Sequence, residues 1–299
     1  MWAEVNSQRS SFGDSNDCLA RVNAIPTSGG VTVQPGSDIN AALRANSIVF
    51  LAGGTHSLTS SISLDAGKKL IGVAGQTVTI DASAVSQAVF LRDSSVLANV
   101  LIRDAGDIGL NFYNQSGDRG SIGALVYQTS VGRTGSSPTS TGGIGIIATQ
   151  SATGNCLVST EVFDSWNLLG SDGTTSAVTA HGGNADGIDL SNGAHHNTLI
   201  DFVSYRNGDD GIDMWNGGVA FLYFSAAHDN GKTTGKTLTG DGNGVKLGLG
   251  SVSHKLYKVS AYNNKSHGYN LNGNTVQPTF VQSTATGNGD TDYGNGVIP

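Results

Sequence analysis

At 299 residues, with 43 glycines, 5 prolines and 13% charged residues, the chain has too little charge for a disordered polypeptide and no strict Gly-X-Y period for collagen. A net charge of −7 without any Lys/Arg run excludes nucleic acid as an expected partner, and no apolar stretch is long enough to form a membrane-spanning helix. The composition suits short strands joined by many tight turns, and the length suits one all-β domain over 1–299.

Residues 1–30 read as an N-terminal extension. The opening MWAEVNSQRSS lacks the basic and then apolar segments of a signal peptide, so Met1 is read as the start of an already mature chain. The polar, lysine-poor composition points to a secreted protein. Cys18 and Cys156 are the two cysteines; a disulfide and two separate buried thiols both remain open. Residues 37–46, SDINAALRAN, predict a short amphipathic helix with Ser37 as N-cap and Ile39 and Leu43 on one face. Such a helix would cover the first strand edge of a stack. Strands follow at VTIDAS and VFLRDSSVLANVLIRDAG, and irregular coils at 109–117 and 143–167.

From 184 to 288 the chain repeats. The units 187–207, 211–230, 244–264 and 268–288 close on Asn207, Asn230, Asn264 and Asn288, spaced 23, 34 and 24 apart. Eight residues before each Asn stand Leu199, Leu222, Leu256 and Phe280; three before stand Ser204, Ala227, Ala261 and Ala285. Large apolar, small and Asn residues thus keep fixed columns, as in a single-stranded right-handed parallel β-helix whose coils stack. A leucine-rich repeat would need an LxxLxLxxN pattern that is absent. Asn residues in register predict a hydrogen-bonded ladder at one turn. Two coils carry insertions, 168–183 and 231–242, both beside Asp-rich segments.

The same alignment stacks Asp189, Asp213, Lys246 and Asn270 in one column, and Asp186, Asp210, Asn243 and His267 in another. Neighbouring coils lie ~4.8 Å apart. Asp186, Asp209, Asp210 and Asp213 therefore converge from two adjacent coils, with Lys246 one coil further on. Carboxylates this close share protons or bind a cation. An all-oxygen cluster suits calcium rather than zinc or copper. The competing structural readings are an Asp ladder bound only to backbone amides, and for Lys246 a salt bridge to Asp213.

NADGID, GDDGID, GNGVKLG and YNNKSHGYN, in that order across 184–270, resemble the pectate lyases of family nine of the polysaccharide lyases. The resemblance implies calcium ligands at Asp186, Asp209, Asp210 and Asp213, a catalytic base at Lys246, and no ligand role for Asp189. It implies β-elimination on an acidic polysaccharide, pectate or polygalacturonate first, by a monomeric secreted enzyme. A base must be neutral, so the Lys246 pKa is expected to fall and the optimum to be alkaline. Arg206, His228, Lys232 and Lys236 are candidates for pairing with substrate carboxylates, Trp215 for stacking on a sugar, and His267 for a further contact.

Two other functions fit parts of the pattern. A polygalacturonase-like hydrolase would use two carboxylates ~6.5–9.5 Å apart, but its GHG and RIK signatures are missing. A non-catalytic β-helical carbohydrate-binding or adhesin module would use the aspartates for structural calcium and would tolerate loss of Lys246.

Overall fold

The computed structural model describes residues 1–113, 119–137, 140, 142–167, 184–232 and 240–299. The insertion 168–183 lies outside the described residues, and 231–242 is described only at its two ends.

Strands Ile48–Leu51, Gly54–Ser57 and Ile62–Leu64 make the first full coil, and the chain then repeats that three-strand circuit to Tyr293–Gly294. Among the described residues this gives one ten-stranded and two nine-stranded sheets, with sequential coils as neighbours in each. Pairing between adjacent coils is parallel. The architecture is a right-handed parallel β-helix, the hand that parallel crossovers take. We call the ten-stranded sheet the first, the one containing Val203–Tyr205 the second, and the one containing Ile188–Leu190 the third.

The columns read from the sequence are the registers observed. Leu199, Leu222, Leu256 and Phe280 stack in the first sheet. Ser204, Ala227, Ala261 and Ala285 stack in the second. One continuous apolar core, from Val33 to Val297, fills the interior. At the turn between the second and third sheets, Asn207, Asn230, Asn264 and Asn288 form a ladder. Each Nδ2 donates to the next Oδ1 at 2.9, 3.0 and 2.9 Å. The same Oδ1 atoms accept the backbone N–H of the preceding Asn, so a buried turn meets its polar demand along the stack.

The ladder explains the glycine that opens each unit. A Cβ on Gly211 would lie 2.5 Å from Asn230 Nδ2 and 2.7 Å from Gly244 O. On Gly244 it would lie 2.6 Å from Asn264 Nδ2 and 2.7 Å from Gly268 O. The Asn column, the small column and the Gly column are therefore one packing unit.

Helix α3 spans Ile39–Ala45 and is capped by Asp38, whose side chain accepts the Ala41 N–H at 3.0 Å. The cap is one residue later than the Ser37 expected from sequence, because Asp38 is the residue placed to reach that amide. Ile39 and Leu43 are buried and join the core at its N-terminal end. The extension 1–30 holds two helices that the pattern did not predict, α1 (Trp2–Phe12) and α2 (Cys18–Asn23). They cover the outer face of the first sheet, where Leu125, Val158, Ile200, Phe221, Tyr223 and Tyr257 form a second apolar cluster with Val5. The attachment is polar and covalent as well as apolar. Cys18 and Cys156 are joined by a disulfide, which resolves the pairing the sequence left open. Asn16 Nδ2 donates to His196 O (2.6 Å) and Thr198 Oγ1 (2.7 Å), and Tyr257 Oη donates to Glu4 (2.8 Å).

His254 is buried inside this frame. Its Nδ1 accepts the Ala220 N–H at 3.3 Å, and its Nε2 lies 3.1 Å from Leu247 O, so the neutral ring carries its proton on Nε2. Burial pushes its pKa down from 6.5 to about 4. Between those values the unfolded ring takes a proton that the folded ring refuses, so this group's contribution to stability falls as pH falls. The stability difference between wild type and His254→Gln should therefore narrow by on the order of 3 kcal/mol on acidification from about pH 7 to about pH 4. Urea unfolding of both proteins at the two pH values measures it; a constant difference would contradict the neutral assignment.

Candidate functional site

The third sheet alternates inward and outward side chains. Ile188, Ile212 and Val245 point into the core, and the residue after each, Asp189, Asp213 and Lys246, points out on neighbouring strands in register. The turn just before these strands carries Asp186 in one coil and Asp209–Asp210 in the next. Stacking thus gathers residues that are 60 positions apart (Asp186 to Lys246).

Four of the aspartates share one construction. Asp186 Oδ1 accepts the Asp210 N–H (3.0 Å), Asp209 Oδ1 the Asp241 N–H (2.5 Å), Asp210 Oδ1 the Asn243 N–H (2.7 Å) and Asp213 Oδ1 the Trp215 N–H (2.9 Å). One oxygen of each carboxylate is fixed by backbone, and the second is left for another partner. For Asp210 and Asp213 that partner is Lys246, whose Nζ lies 3.0 Å and 3.2 Å from their Oδ2 atoms. Asp210 Oδ2 is buried and has no hydrogen bond of acceptable geometry, so the ammonium satisfies it by charge alone. Asp189 Oδ1 is likewise buried and unpartnered among the described residues.

Asp241 completes the group. Its Oδ2 is 3.8 Å from Lys246 Nζ. Carboxylate oxygens of Asp186, Asp210 and Asp213 lie within 4.8 Å of one another, and so do those of Asp209, Asp210 and Asp241. The cluster opens into a cleft of about 490 Å³ lined by Asp186, Asp189, Asp209, Asp213, Asp241, Lys246 and Trp215, with Asp107, Asn184 and Asn192 among the remaining wall residues.

Electrostatics follow from this crowding. Burial, then the charges of Asp209, Asp213 and Asp210, hold the Asp186 carboxyl well above the usual range. Burial and Asp210 do the same to Asp209. Burial lifts Asp213 to about 8 against the pull of Lys246, and lifts Asp189 to about 6. For Lys246 burial lowers the pKa, but the combined field of Asp210, Asp213, Asp186 and Asp209 outweighs it and the net direction is up. The fall expected from the sequence is therefore not produced by the protein's own groups. With the aspartates ionised, the amine is held as ammonium.

The donor set fits a hard divalent cation. It is all oxygen and multiply negative, and the carboxylates of Asp186, Asp209, Asp210 and Asp213 are buried and each held by a backbone amide through one oxygen. It contains no His or Cys ligand of the kind zinc or copper prefers.

The candidate substrate contacts divide sharply. Trp215 lines the cleft and is 42% exposed. Arg206 instead forms a two-pronged ion pair with Asp164 (2.8 and 3.0 Å) and lies over the Tyr205 ring on the second sheet. His228 is stacked between Tyr205 and Tyr262 and bonded to Asp229. Lys232 donates to Asn263 O, and the His267 ring pairs with Thr291. These four are not among the residues lining the cleft. Lys236 lies outside the described residues. Sequence reasoning missed Asp241 and Asp107. Asp241 directly precedes the Gly-Asn-Gly-x-Lys segment, but it ends an insertion and so falls outside the aligned columns. Asp107 accepts from Ser140 Oγ and Gly143 N–H in a coil whose repeat signal is weak.

Comparison with known proteins gives three findings. The family model described as Pel9A-like, right handed beta helix region matches residues 22–297. A curated relative, Pectate lyase L of Paenibacillus polymyxa (strain SC2), is 33% identical over 107 residues, 32% of this chain. That match spans 24% of the relative's own length. Among solved structures, pectate lyase Pel9A superposes with a TM-score of 0.74 at 18% identity, covering 91% of this chain and 73% of its own. A rhamnogalacturonan lyase superposes at 0.64 and 15% identity, covering 86% of this chain and 74% of its own. At these identities the superpositions speak for the fold.

Proposed function

The chain belongs to the Pel9A-like right-handed β-helix family, and from that premise we propose that it is a calcium-dependent polysaccharide lyase. Its substrate would be a uronic-acid polymer, pectate or polygalacturonate, cleaved by β-elimination with Lys246 as the base. The observation that carries this reading is the placement of one amine, 3.0 Å from Asp210 and 3.2 Å from Asp213, at the centre of an all-carboxylate cluster that opens to a cleft. The name of the partly matching Paenibacillus polymyxa relative, Pectate lyase L, agrees with it.

Asp186, Asp209, Asp210 and Asp213 would hold the calcium ion. Bound there, calcium would neutralise the sugar carboxylate and part of the aspartate field, which acidifies the proton on carbon 5 of the uronate. The protein's own residues do the rest. Asp210 and Asp213 orient the Lys246 side chain toward the cleft. Once their charge is balanced, Lys246 can exist as a free amine and accept the carbon 5 proton. The C–H electron pair becomes the double bond between carbons 4 and 5 as the bond from carbon 4 to the glycosidic oxygen breaks. That oxygen takes a proton from solvent water and leaves as the hydroxyl of a new reducing end. Trp215, half-exposed beside Asp213, offers an apolar wall for a sugar ring.

We assign the protein to an extracellular setting as a monomer. The Cys18–Cys156 disulfide suits an oxidising compartment. No helix of the described residues is long and apolar enough to cross a membrane.

The test is incubation with polygalacturonate and with rhamnogalacturonan, with calcium or with excess chelator. The expected result is a calcium-dependent rise in ultraviolet absorbance from the unsaturated end. New reducing ends without that chromophore would establish a hydrolase instead. Binding without any cleavage would establish a carbohydrate-binding module.

A further inference from the structure

We propose that Asn243 and Asn270 are positioning residues for Lys246, forming a directed chain of side-chain amides that fixes the Asp210 carboxylate against the amine. The inference rests on the reading of Lys246 as the base and extends it to two residues that are not among those lining the cleft.

The chain is written in its hydrogen bonds. Asn295 Nδ2 donates to Asn270 Oδ1 (2.6 Å), Asn270 Nδ2 donates to Asn243 Oδ1 (3.1 Å), and Asn243 Nδ2 donates to Asp210 Oδ1 (2.8 Å). The backbone fixes which end of each amide is the oxygen, because an N–H can only donate. Asn270 Oδ1 also accepts the Asn272 N–H (2.9 Å), and Asn243 Oδ1 also accepts the His267 N–H (3.4 Å). All three amides therefore aim their donors the same way, toward one carboxylate. Hydrogen bonds aligned head to tail polarise one another, and the last of these ends on a charge.

The residue types follow from the coil columns. Asp186, Asp210 and Asn243 share one column, and the Oδ1 of each accepts the backbone N–H of the next column residue. A third aspartate, at 243, would put a carboxylate oxygen where Asn243 Nδ2 now stands, 2.8 Å from Asp210 Oδ1. Asparagine keeps the shape and turns that repulsion into a donor. Asp210 Oδ1 thus receives two N–H groups from one residue, at 2.7 and 2.8 Å. Two donors on one oxygen limit rotation of the carboxylate, and its Oδ2 is left 3.0 Å from Lys246 Nζ. Asn270, in register beside Lys246 on the third sheet, braces Asn243 from the next coil. Both amides are buried, so water does not replace a lost partner at no cost.

Kinetics of the full chain on polygalacturonate, at saturating calcium, test this as a double-mutant cycle. Asn243→Ala keeps the backbone N–H to Asp210 and should lower kcat roughly 30-fold, and Asn270→Ala about fivefold, with KM within about threefold in both. Asn270 acts through Asn243, so the double variant should match Asn243→Ala within about twofold instead of losing the product of the two. Calorimetric calcium titration gives a readout without turnover: affinity should fall roughly tenfold in Asn243→Ala and no further in the double variant. Urea unfolding checks that each variant folds. Asn270→Ala, the more distant change, carries the test if Asn243→Ala does not fold.

An active wild type whose kcat is unmoved by Asn243→Ala would overturn the positioning role and leave the lyase reading standing. A kcat unmoved by Asn270→Ala, or multiplicative losses in the double variant, would overturn the chain. A wild type that makes no unsaturated product would end the assignment of Lys246 as base, and this role with it.

Discussion

Lys246→Ala is expected to lower turnover of polygalacturonate by roughly 10³-fold, the middle of the range that a positioned acid or base contributes. The effect should fall on kcat, because Lys246 acts on a proton that moves only in the transition state. Calcium affinity should hold or rise, since the substitution removes the ammonium that competes for Asp210 Oδ2 and Asp213 Oδ2. Without calcium the variant should be less stable than wild type, because two buried carboxylates lose their counter-charge, and calcium should restore it. Lys246→Arg separates charge from chemistry. The guanidinium keeps the ion pairs but is never neutral near working pH, so it should fold like wild type and remain inactive. Steady-state kinetics together with calcium titration decide the matter. Turnover within about threefold of wild type in Lys246→Ala would remove Lys246 as the base.

The second large effect is expected from Asp210→Asn. Asp210 is the carboxylate common to both close-set carboxylate groups and to the Lys246 pair. The amide can still accept the Asn243 N–H through its oxygen, so the local fold should survive. Calcium affinity should drop by roughly 10²-fold, about 2.7 kcal/mol, because a charged ligand becomes a neutral one in a buried site. Activity should fall at least as far and recover only in part at high calcium. Ligand linkage offers a readout independent of turnover. Calcium should raise the wild-type melting temperature by an amount that grows with its concentration, and should raise that of Asp210→Asn far less at the same concentration. Equal calcium-induced shifts in the two proteins would show that the cation binds elsewhere.

Much of this site was legible in the sequence because a stacked coil turns sequence period into spatial adjacency. Leu199, Leu222, Leu256 and Phe280 could be aligned by eye, and the same alignment placed Asp213 against Lys246, which the register reproduces. The ladder from Asn207 to Asn288 was legible for the same reason. Helix α1 was not. Val5 is its one buried residue, so it carries no apolar stripe, and it is held by contacts with strands more than a hundred residues away.

The identity of the chemistry-bearing residues was set by the sequence itself. Aspartates in two successive coils and a lysine in the next, on a chain with 13% charged residues, already specify an acidic cluster with one amine. Only the tertiary structure decided which charges belong to it. Arg206 and His228, close in sequence to the aspartates, find Asp164 and two tyrosine rings on the second sheet instead. Asp241, which no column aligned, comes within 3.8 Å of Lys246. The reason is physical: a repeat fixes which positions stack, but the direction of each turn, and the path of a coil with an insertion, depend on partners that adjacent coils supply.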